Sequence, residues 1–365
     1  MKMRNSKLYF KSLDRLREVV GNRTSISFDN ELSGYESFGK FGEEECVYLI
    51  YDYETNKKII KSDDFMPYDF ITPAFKSSKR EVYYSNKFAQ NTPLFMKLGD
   101  KHSKISLSLK KSYKKCTNKI KSLDTKLISE FLLKIISNKK VSSNYIAKLL
   151  SGYFTEFALE EITGCKKPIK IEYLNHISFL SVIPTPLFIR KAENCLAAVN
   201  SLHETKTFSI EKFTAFNTLL VMGLFPTQST LTALLNHYFT FISVKNNNEK
   251  LKSSIMDFKF SNVTPLNFTV RIVEKNVKID DIPFTKNNIV YSFLGEFSKC
   301  PFSNLTSMPF GIGKHKCPGQ PVAQAILDKT KEALLDISSH NLITENNVTT
   351  SNILKNRPDV ALAFE

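Results

Sequence analysis

The sequence predicts a mainly α-helical protein with small β-sheets, folded as a single compact domain. Apolar residues recur at helical spacing over several long segments, of which residues 209–244 form the longest. Short stretches such as residues 46–53 alternate apolar and polar residues, which predicts strands between the helices. No Gly/Ser/Pro-rich linker and no internal repeat divides the chain, so residues 1–365 are assigned to one domain.

In the first part of the chain, the predicted strand at residues 46–53 is followed by helical spacing over 54–62. Prolines and aromatic residues interrupt the periodicity over residues 66–94, which predicts a long loop. Three helices are then predicted, at residues 104–121, 122–138 and 143–163, the last with Gly164 as its C-cap.

In the second part, helical fragments over residues 167–204 are broken by Pro184 and Pro186, and the long helix follows at 209–244. A further helix is expected within residues 250–260. Strands are predicted at residues 267–275, 277–282 and 288–293, and a closing hairpin at 342–365.

The chain carries a formal net charge of +15, most of it from lysine, which raises nucleic acid, an anionic membrane or an acidic protein as the partner. The segment 104–121 contains seven lysines and no carboxylate. It is either a solvated basic face or a docking face for an acidic partner. No recognised nucleic-acid motif accompanies the charge, so nucleic acid is not expected as a partner.

No stretch has the apolar length of a transmembrane segment, and residues 1–17 do not resemble a signal peptide. The six cysteines are scattered without a Cys-x-x-Cys pair, which favours reduced thiols over a disulfide framework or a zinc site. We therefore expect a cytoplasmic protein without a transmembrane anchor.

The most distinctive segment is residues 309–319, which read Pro-Phe-Gly-Ile-Gly-Lys-His-Lys-Cys-Pro-Gly just before a predicted helix. Gly311 and Gly313 allow the backbone to turn tightly. Cys317 is expected to start the helix, where unpaired N–H groups and the helix dipole favour the thiolate. Such a thiolate can ligate a metal, although a lone cysteine is more often a small buried apolar residue.

The pattern Phe-Gly-x-Gly-x-His-x-Cys-Pro-Gly resembles the cysteine-ligand loop of the cytochrome P450 family. By this resemblance Cys317 is the axial ligand of the iron of haem b, and its thiolate donates electron density to the iron. Phe310, Gly311 and Gly319 are the loop residues that would contact the cofactor. The resemblance implies the cytochrome P450 fold from about residue 46 to the C-terminus, with residues 1–45 as a divergent N-terminal segment.

The resemblance also implies cationic anchors for the two haem propionates, namely His102, Arg271 and His315. An exposed strand arginine is the alternative interpretation of Arg271. The arginine that the family would place four residues after His102 is Ser106 in this chain.

The long helix at residues 209–244 would cross above the haem. Gly223 matches the glycine of the family's pattern there, but Phe225 stands at the position of the acid and Pro226 at that of the alcohol. Phenylalanine cannot transfer a proton, whereas Pro226 removes an N–H and can leave a kink or groove. Thr227 and Gln228 are the candidate residues to hold water in that groove.

The ion pair of the family's Glu-x-x-Arg motif is also missing, because Phe258 and Ser261 occupy its two positions. Losing both charges is less damaging than losing one, since a lone buried charge costs more than an apolar replacement.

Together these features imply a haem-thiolate oxidoreductase, namely a monooxygenase for a small organic or carrier-bound substrate in specialised biosynthesis. An acidic ferredoxin is the expected electron donor. Phe225 and Pro226 keep open a peroxide-dependent or redox-neutral enzyme, such as a peroxygenase, isomerase or dehydratase. A third possibility is a degenerate protein that binds haem or another ligand without catalysis.

Overall fold

The computed structural model describes residues 35–38, 46–68, 83–94, 96, 98–138, 141–178, 186–243, 248–260, 268–294, 308–338 and 348–349. Most of the predicted closing hairpin at 342–365 lies outside these ranges. Ten α-helices are described: α1 (Tyr53–Lys61), α2 (Tyr83–Asn91), α3 (Asp100–Lys121), α4 (Thr125–Asn138), α5 (Ser143–Thr163), α6 (Ile171–Ser178), α7 (Pro186–Leu202), α8 (Ile210–Ser243), α9 (Asn248–Asp257) and α10 (Gln320–Ser338).

Nine short strands are described: β1 (Tyr35–Phe38), β2 (Val47–Ile50), β3 (Phe65–Pro67), β4 (Val141–Ser142), β5 (Phe268–Val273), β6 (Val277–Ile279), β7 (Ile282–Phe284), β8 (Ile289–Phe293) and β9 (Val348–Thr349). Five of them form one sheet in the order β1-β2-β8-β5-β3, in which β2 and β8 run parallel. The other four form two-stranded pairs, β4 with β9 and β6 with β7. The predicted fold class, mainly α with small sheets, is confirmed.

The helical body is built around α8, which packs against α3, α5 and α6, while α10 packs against α3 and α4. Apolar residues lie on all sides of α8, so it is buried as a core helix; Phe213, Phe216 and Leu220 are fully inaccessible. The expectation that no stretch has the apolar length of a transmembrane segment is wrong, because Ile210–Thr240 is long and apolar enough; 69% of its apolar window, however, is buried inside the protein. A long apolar helix that is largely buried in this way is also typical of the core of a globular protein.

The strands predicted at 46–53, 267–275 and 288–293 are present as β2, β5 and β8, whereas β1, β3 and β4 were not predicted and β3 overlaps the predicted loop at 66–94. Residues 277–282, predicted as one strand, also differ. The chain turns there at Asp280, whose φ of 52° lies in the left-handed region, and β6 and β7 pair as an antiparallel hairpin. Lys58 of α1 binds the Asp280 carboxylate, and Thr55 donates to the same group at 3.1 Å. The hairpin tip is thus held by a distant helix, which a local pattern does not reveal.

Helix α2 lies where the sequence predicted only a loop. It has no acidic residue in its first turn. Its N-terminal donors are instead bound by Glu193 of α7, whose carboxylate accepts from the backbone N–H groups of Tyr84 (2.9 Å) and Ser85 (3.0 Å) and from the Ser85 hydroxyl. Glu193 is only 9% exposed. A cap supplied from another helix therefore completes α2.

We expect Glu193→Gln to loosen α2. Glutamine keeps the size of the side chain but exchanges one acceptor oxygen for a donor, so one of the three donors loses its partner. Hydrogen exchange of the Tyr84 and Ser85 amides should accelerate about tenfold. Glu130→Gln on the exposed face of α4 is the control and should leave α2 unchanged. Equal exchange in all three proteins would contradict the assigned cap.

Candidate functional site

The loop that carries Cys317 is a compact double turn. The N–H of Gly311 donates to the Met308 carbonyl and that of Cys317 to the Phe310 carbonyl, both at 2.9 Å. Gly311 and Gly313 have φ angles of 63° and 74°, a region that favours glycine. The tight turn predicted from the two glycines is therefore present.

Cys317 precedes α10 by three residues, so it lies before the helix and is not its first residue. The backbone N–H groups of Gly319 and Gln320 nevertheless lower the pKa of its thiol. Burial is the larger effect, and the net result is a raised pKa. The prediction that the helix terminus alone favours the thiolate is therefore wrong, and metal binding would have to displace the proton.

The surroundings of Cys317 show that its thiol faces the interior. The side chain is accessible, yet burial raises the pKa of the thiol. Both observations hold if the thiol faces a space enclosed by protein. Tyr113 of α3 lies close by, because Cys317 contributes to the raised pKa of its phenol after burial itself and Cys116. The Tyr113 hydroxyl also donates to the Ala215 carbonyl of α8 at 3.3 Å, so the thiol lies near the junction of α3 and α8.

Three side chains predicted as propionate anchors lie together beside this loop. The rings of His102 and His315 lie edge to face with centroids 4.9 Å apart. Burial lowers the pKa of His315 to about 4, with further contributions from Arg271 and His102. Burial, followed by Lys110, also lowers the pKa of His102.

Arg271 is 4% exposed on β5, which excludes the alternative of an exposed strand arginine. Burial lowers its pKa to about 10. Its Nε and Nη1 atoms are buried and bind no acceptor among the described residues, and neither ring nitrogen of His315 makes a well-formed hydrogen bond. The backbone at Pro93 does lie near enough to raise the pKa of His315 slightly.

Buried donors without acceptors cost free energy, so this cluster is suited to an anionic group. The Asp63 carboxylate also acts on His315, but it is 61% exposed and paired with Lys314 at 2.8 Å. Two carboxylates on one cofactor would satisfy the cluster, and the residues present therefore fit the propionates of haem b.

Thr92 is a candidate that the sequence reasoning missed. Its hydroxyl is fully buried without a described partner, and the residue directly precedes Pro93, which lies against His315. It follows α2, in the segment that the sequence assigned to a loop, and no spacing signal marks it. Ser106, at the position of the missing arginine, is half-buried.

Helix α8 changes its exposure at the predicted reaction site. Residues 213–221 and 230–235 are buried, whereas Met222, Gly223 and the described side chains of 226–229 are only half-buried. Pro226 lies inside the continuous helix and has no N–H for the Met222 carbonyl to accept from. This carbonyl and the half-buried stretch could hold water in a groove, as the sequence suggested.

The two polar candidates on α8 have different surroundings. The Gln228 amide donates to the Asn144 side chain of α5 at 2.9 Å, which directs it to a helix contact. Thr227 is half-buried and has no such contact to a described residue. The side chain of Phe225 lies outside the described part of the chain. Thr227 therefore remains the better candidate for holding water.

We expect Arg271→Met to separate stability from anion binding. Removing a buried, unpartnered cation should stabilise the haem-free chain by about 1–3 kcal/mol in denaturant unfolding. The same change should weaken haem binding at least about tenfold, because a propionate would lose its partner. Arg190→Met, at an exposed position, is the control. A less stable haem-free Arg271→Met chain would show that Arg271 already has a partner.

No protein-family model and no curated protein sequence matches this chain. Several solved structures do match this chain. P450BioI in complex with hexadec-9Z-enoic acid ligated acyl carrier protein superposes with a TM-score of 0.58 at 13% identity, covering 92% of this chain and 91% of that one.

CYP101J2 gives a TM-score of 0.59 at 12% identity, with 89% and 86% of the two chains covered. The thermophilic cytochrome P450 from Sulfolobus tokodaii gives 0.56 at 14% identity, with 89% and 91% covered. The similarity to these three structures extends over 89–92% of this chain. This chain therefore has the cytochrome P450 fold.

Proposed function

We propose that this protein is a haem-thiolate oxidoreductase, namely a cytochrome P450 monooxygenase that acts on a small organic or carrier-bound substrate in specialised biosynthesis. The observation that carries the proposal is the convergence beside the loop of Cys317 of His102, His315 and Arg271, whose buried Nε and Nη1 atoms bind no acceptor among the described residues. Buried donors without acceptors are costly in a protein that binds no anion, whereas the carboxylates of haem would accept from them.

Each residue of the site has a role in this proposal. Cys317 would ligate the iron, with the N–H groups of Gly319 and Gln320 directed at its sulfur. A Cβ at position 319 would lie 3.6 Å from that sulfur, so glycine leaves the sulfur uncrowded. Phe310 packs from the loop against the hydrophobic core and contacts Phe260. When bound, haem supplies the oxidative chemistry, while the protein controls access and proton supply.

Proton supply is the least conventional part of the site. Since Phe225 cannot donate a proton, the Thr227 hydroxyl and the Met222 carbonyl would have to hold water beside Gly223. Proton transfer by a positioned group typically contributes about 10²–10⁴-fold. The same observation favours a second candidate, peroxide-dependent or redox-neutral catalysis, which requires less help from an acid–alcohol pair.

We expect the protein, expressed with ample haem, to bind one haem b through Cys317. The reduced protein under carbon monoxide should show the red-shifted Soret band of thiolate ligation. Cys317→Ala should abolish that band, and Cys165→Ala, an exposed cysteine elsewhere, should retain it. Unaltered haem binding by Cys317→Ala would refute the ligand assignment. A chain that folds but takes up no haem would support the degenerate, non-catalytic alternative.

The oxidant can be tested with the haem-loaded protein and candidate substrates from its genomic neighbourhood. Three conditions are compared: reductant with dioxygen, peroxide alone, and neither. Product only with reductant and dioxygen is expected for the monooxygenase. Product with peroxide alone would identify a peroxygenase, and turnover with neither would identify an isomerase or dehydratase.

The basic face of α3 is the proposed docking surface for an acidic partner. Lys110, Lys111, Lys114 and Lys115 are exposed and form no ion pair with the described residues. Leu107 is 56% exposed on the same helix and adds an apolar contact. An acidic ferredoxin or a substrate-bearing acidic carrier fits this surface, and we expect both encounters to take place in the cytoplasm.

Charge reversal should show whether this surface binds. Lys110→Glu combined with Lys111→Glu, or Lys114→Glu with Lys115→Glu, should weaken binding of an acidic ferredoxin or acyl carrier protein by about tenfold or more. The affinity should also fall as salt rises, because exposed charges are screened. Lys250→Glu with Lys252→Glu on α9 is the matched control. Equal effects of the three double variants would indicate a response to net charge alone.

A further inference from the structure

We propose that Phe260 and Lys331 support the cysteine loop in place of the absent Glu-x-x-Arg ion pair, and thereby fix the position of the Cys317 thiol. Both are positioning residues. The proposal concerns the packing around the loop, and it rests on the proposed function only for its haem measurements.

The first contact joins Phe260 to the loop. Its ring lies edge to face on that of Phe310, with centroids 4.7 Å apart and an interplanar angle of 67°. Phe260 is 7% exposed, so the contact is part of the core. The Phe310 carbonyl accepts the N–H of Cys317 at 2.9 Å. A single loop residue thus connects the aromatic contact to the cysteine.

The second contact fixes the segment that carries Phe260. The Lys331 ammonium of α10 donates to the Met256 carbonyl at 3.0 Å, in the last turn of α9. Carbonyls at a helix C-terminus lack intrahelical partners and carry partial negative charge, so they favour a cation. Lys331 is 5% exposed, which makes this contact a buried one. Phe260 follows α9 by three residues.

These contacts form a closed path that starts and ends at Cys317. From Cys317 the chain enters α10, Lys331 connects α10 to the end of α9, and Phe260 returns from α9 to Phe310 and Cys317. The chain segments before and after Cys317 are therefore both held by contacts with α9 and α10.

This closed path of contacts forms without a buried ion pair. Phe258, at the position of the family's glutamate, is 6% exposed and packs on His237 with ring centroids 5.7 Å apart. An apolar replacement of this kind avoids the desolvation cost of two buried charges. Asp328 and Asp257 both act on the Lys331 ammonium and oppose the effect of burial on its pKa.

The test compares Phe260→Ala with Phe154→Ala, which removes a fully buried ring from α5, away from the loop. Phe260→Leu retains apolar volume, and Lys331→Met removes the cap while keeping a long side chain. In the haem-loaded full chain, the readout is the fraction of the carbon monoxide complex with the Soret band of thiolate ligation. In the haem-free full chain, it is the alkylation rate of Cys317 by iodoacetamide relative to that of the exposed Cys165.

Phe260→Ala should lower the thiolate-ligated fraction about threefold or more and raise the relative alkylation rate of Cys317 about fivefold, because the loop opens more often. Lys331→Met should act in the same direction, and Phe260→Leu and Phe154→Ala should stay near the wild type. Equal effects of Phe260→Ala and Phe154→Ala would overturn the proposal, since loss of global stability would then explain both. If the wild type binds no haem, the proposed function fails, and the alkylation rates still decide the role of Phe260.

Discussion

The buried guanidinium of Arg271 is the interaction on which the architecture of the site depends. Placing an unpartnered cation at 4% exposure is costly, and the sheet, the N-terminal part of α3 and the cysteine loop all contribute to its surroundings. His102 and His315 remain neutral, because burial and neighbouring positive charge both lower their pKa values. Under the proposed function, a dianionic cofactor would relieve this cost, which would link cofactor binding to the stability of the site.

The thiol of Cys317 illustrates a balance between two opposing electrostatic effects. The N–H groups at the start of α10 favour the thiolate, but desolvation favours the thiol more strongly. The start of the helix therefore favours the thiolate, while burial opposes its ionisation.

The central helix combines burial with a local break in its hydrogen-bond ladder. Residues 213–221 and 230–235 are buried, whereas the stretch around Gly223 and Pro226 is half-buried and includes a Met222 carbonyl to which Pro226 has no N–H to donate. Under the proposed function, Pro226 would provide a groove and Thr227 would be the hydroxyl that lines it. Gln228 is committed to Asn144 and stabilises the contact between α8 and α5.

The sequence by itself determined the features that depend on neighbouring residues. The double turn at Gly311 and Gly313, the C-cap at Gly164 and the long apolar helix α8 all follow local steric and periodic rules. The motif around Cys317 was specific enough to indicate the fold. The resemblance that it revealed also predicted His102, Arg271 and His315 as a group, and the structure brings these three residues together.

Only the tertiary structure decided features that depend on residues distant in sequence. Helix α2 is capped by Glu193, which lies 109 residues from Tyr84, and the end of α9 is capped by Lys331, 75 residues from Met256. The direction of the Gln228 amide and the raised pKa of Cys317 are likewise set by packing. Local patterns carry no information about such partners, because a backbone donor or a buried charge can be satisfied by any group that the fold brings within hydrogen-bond distance.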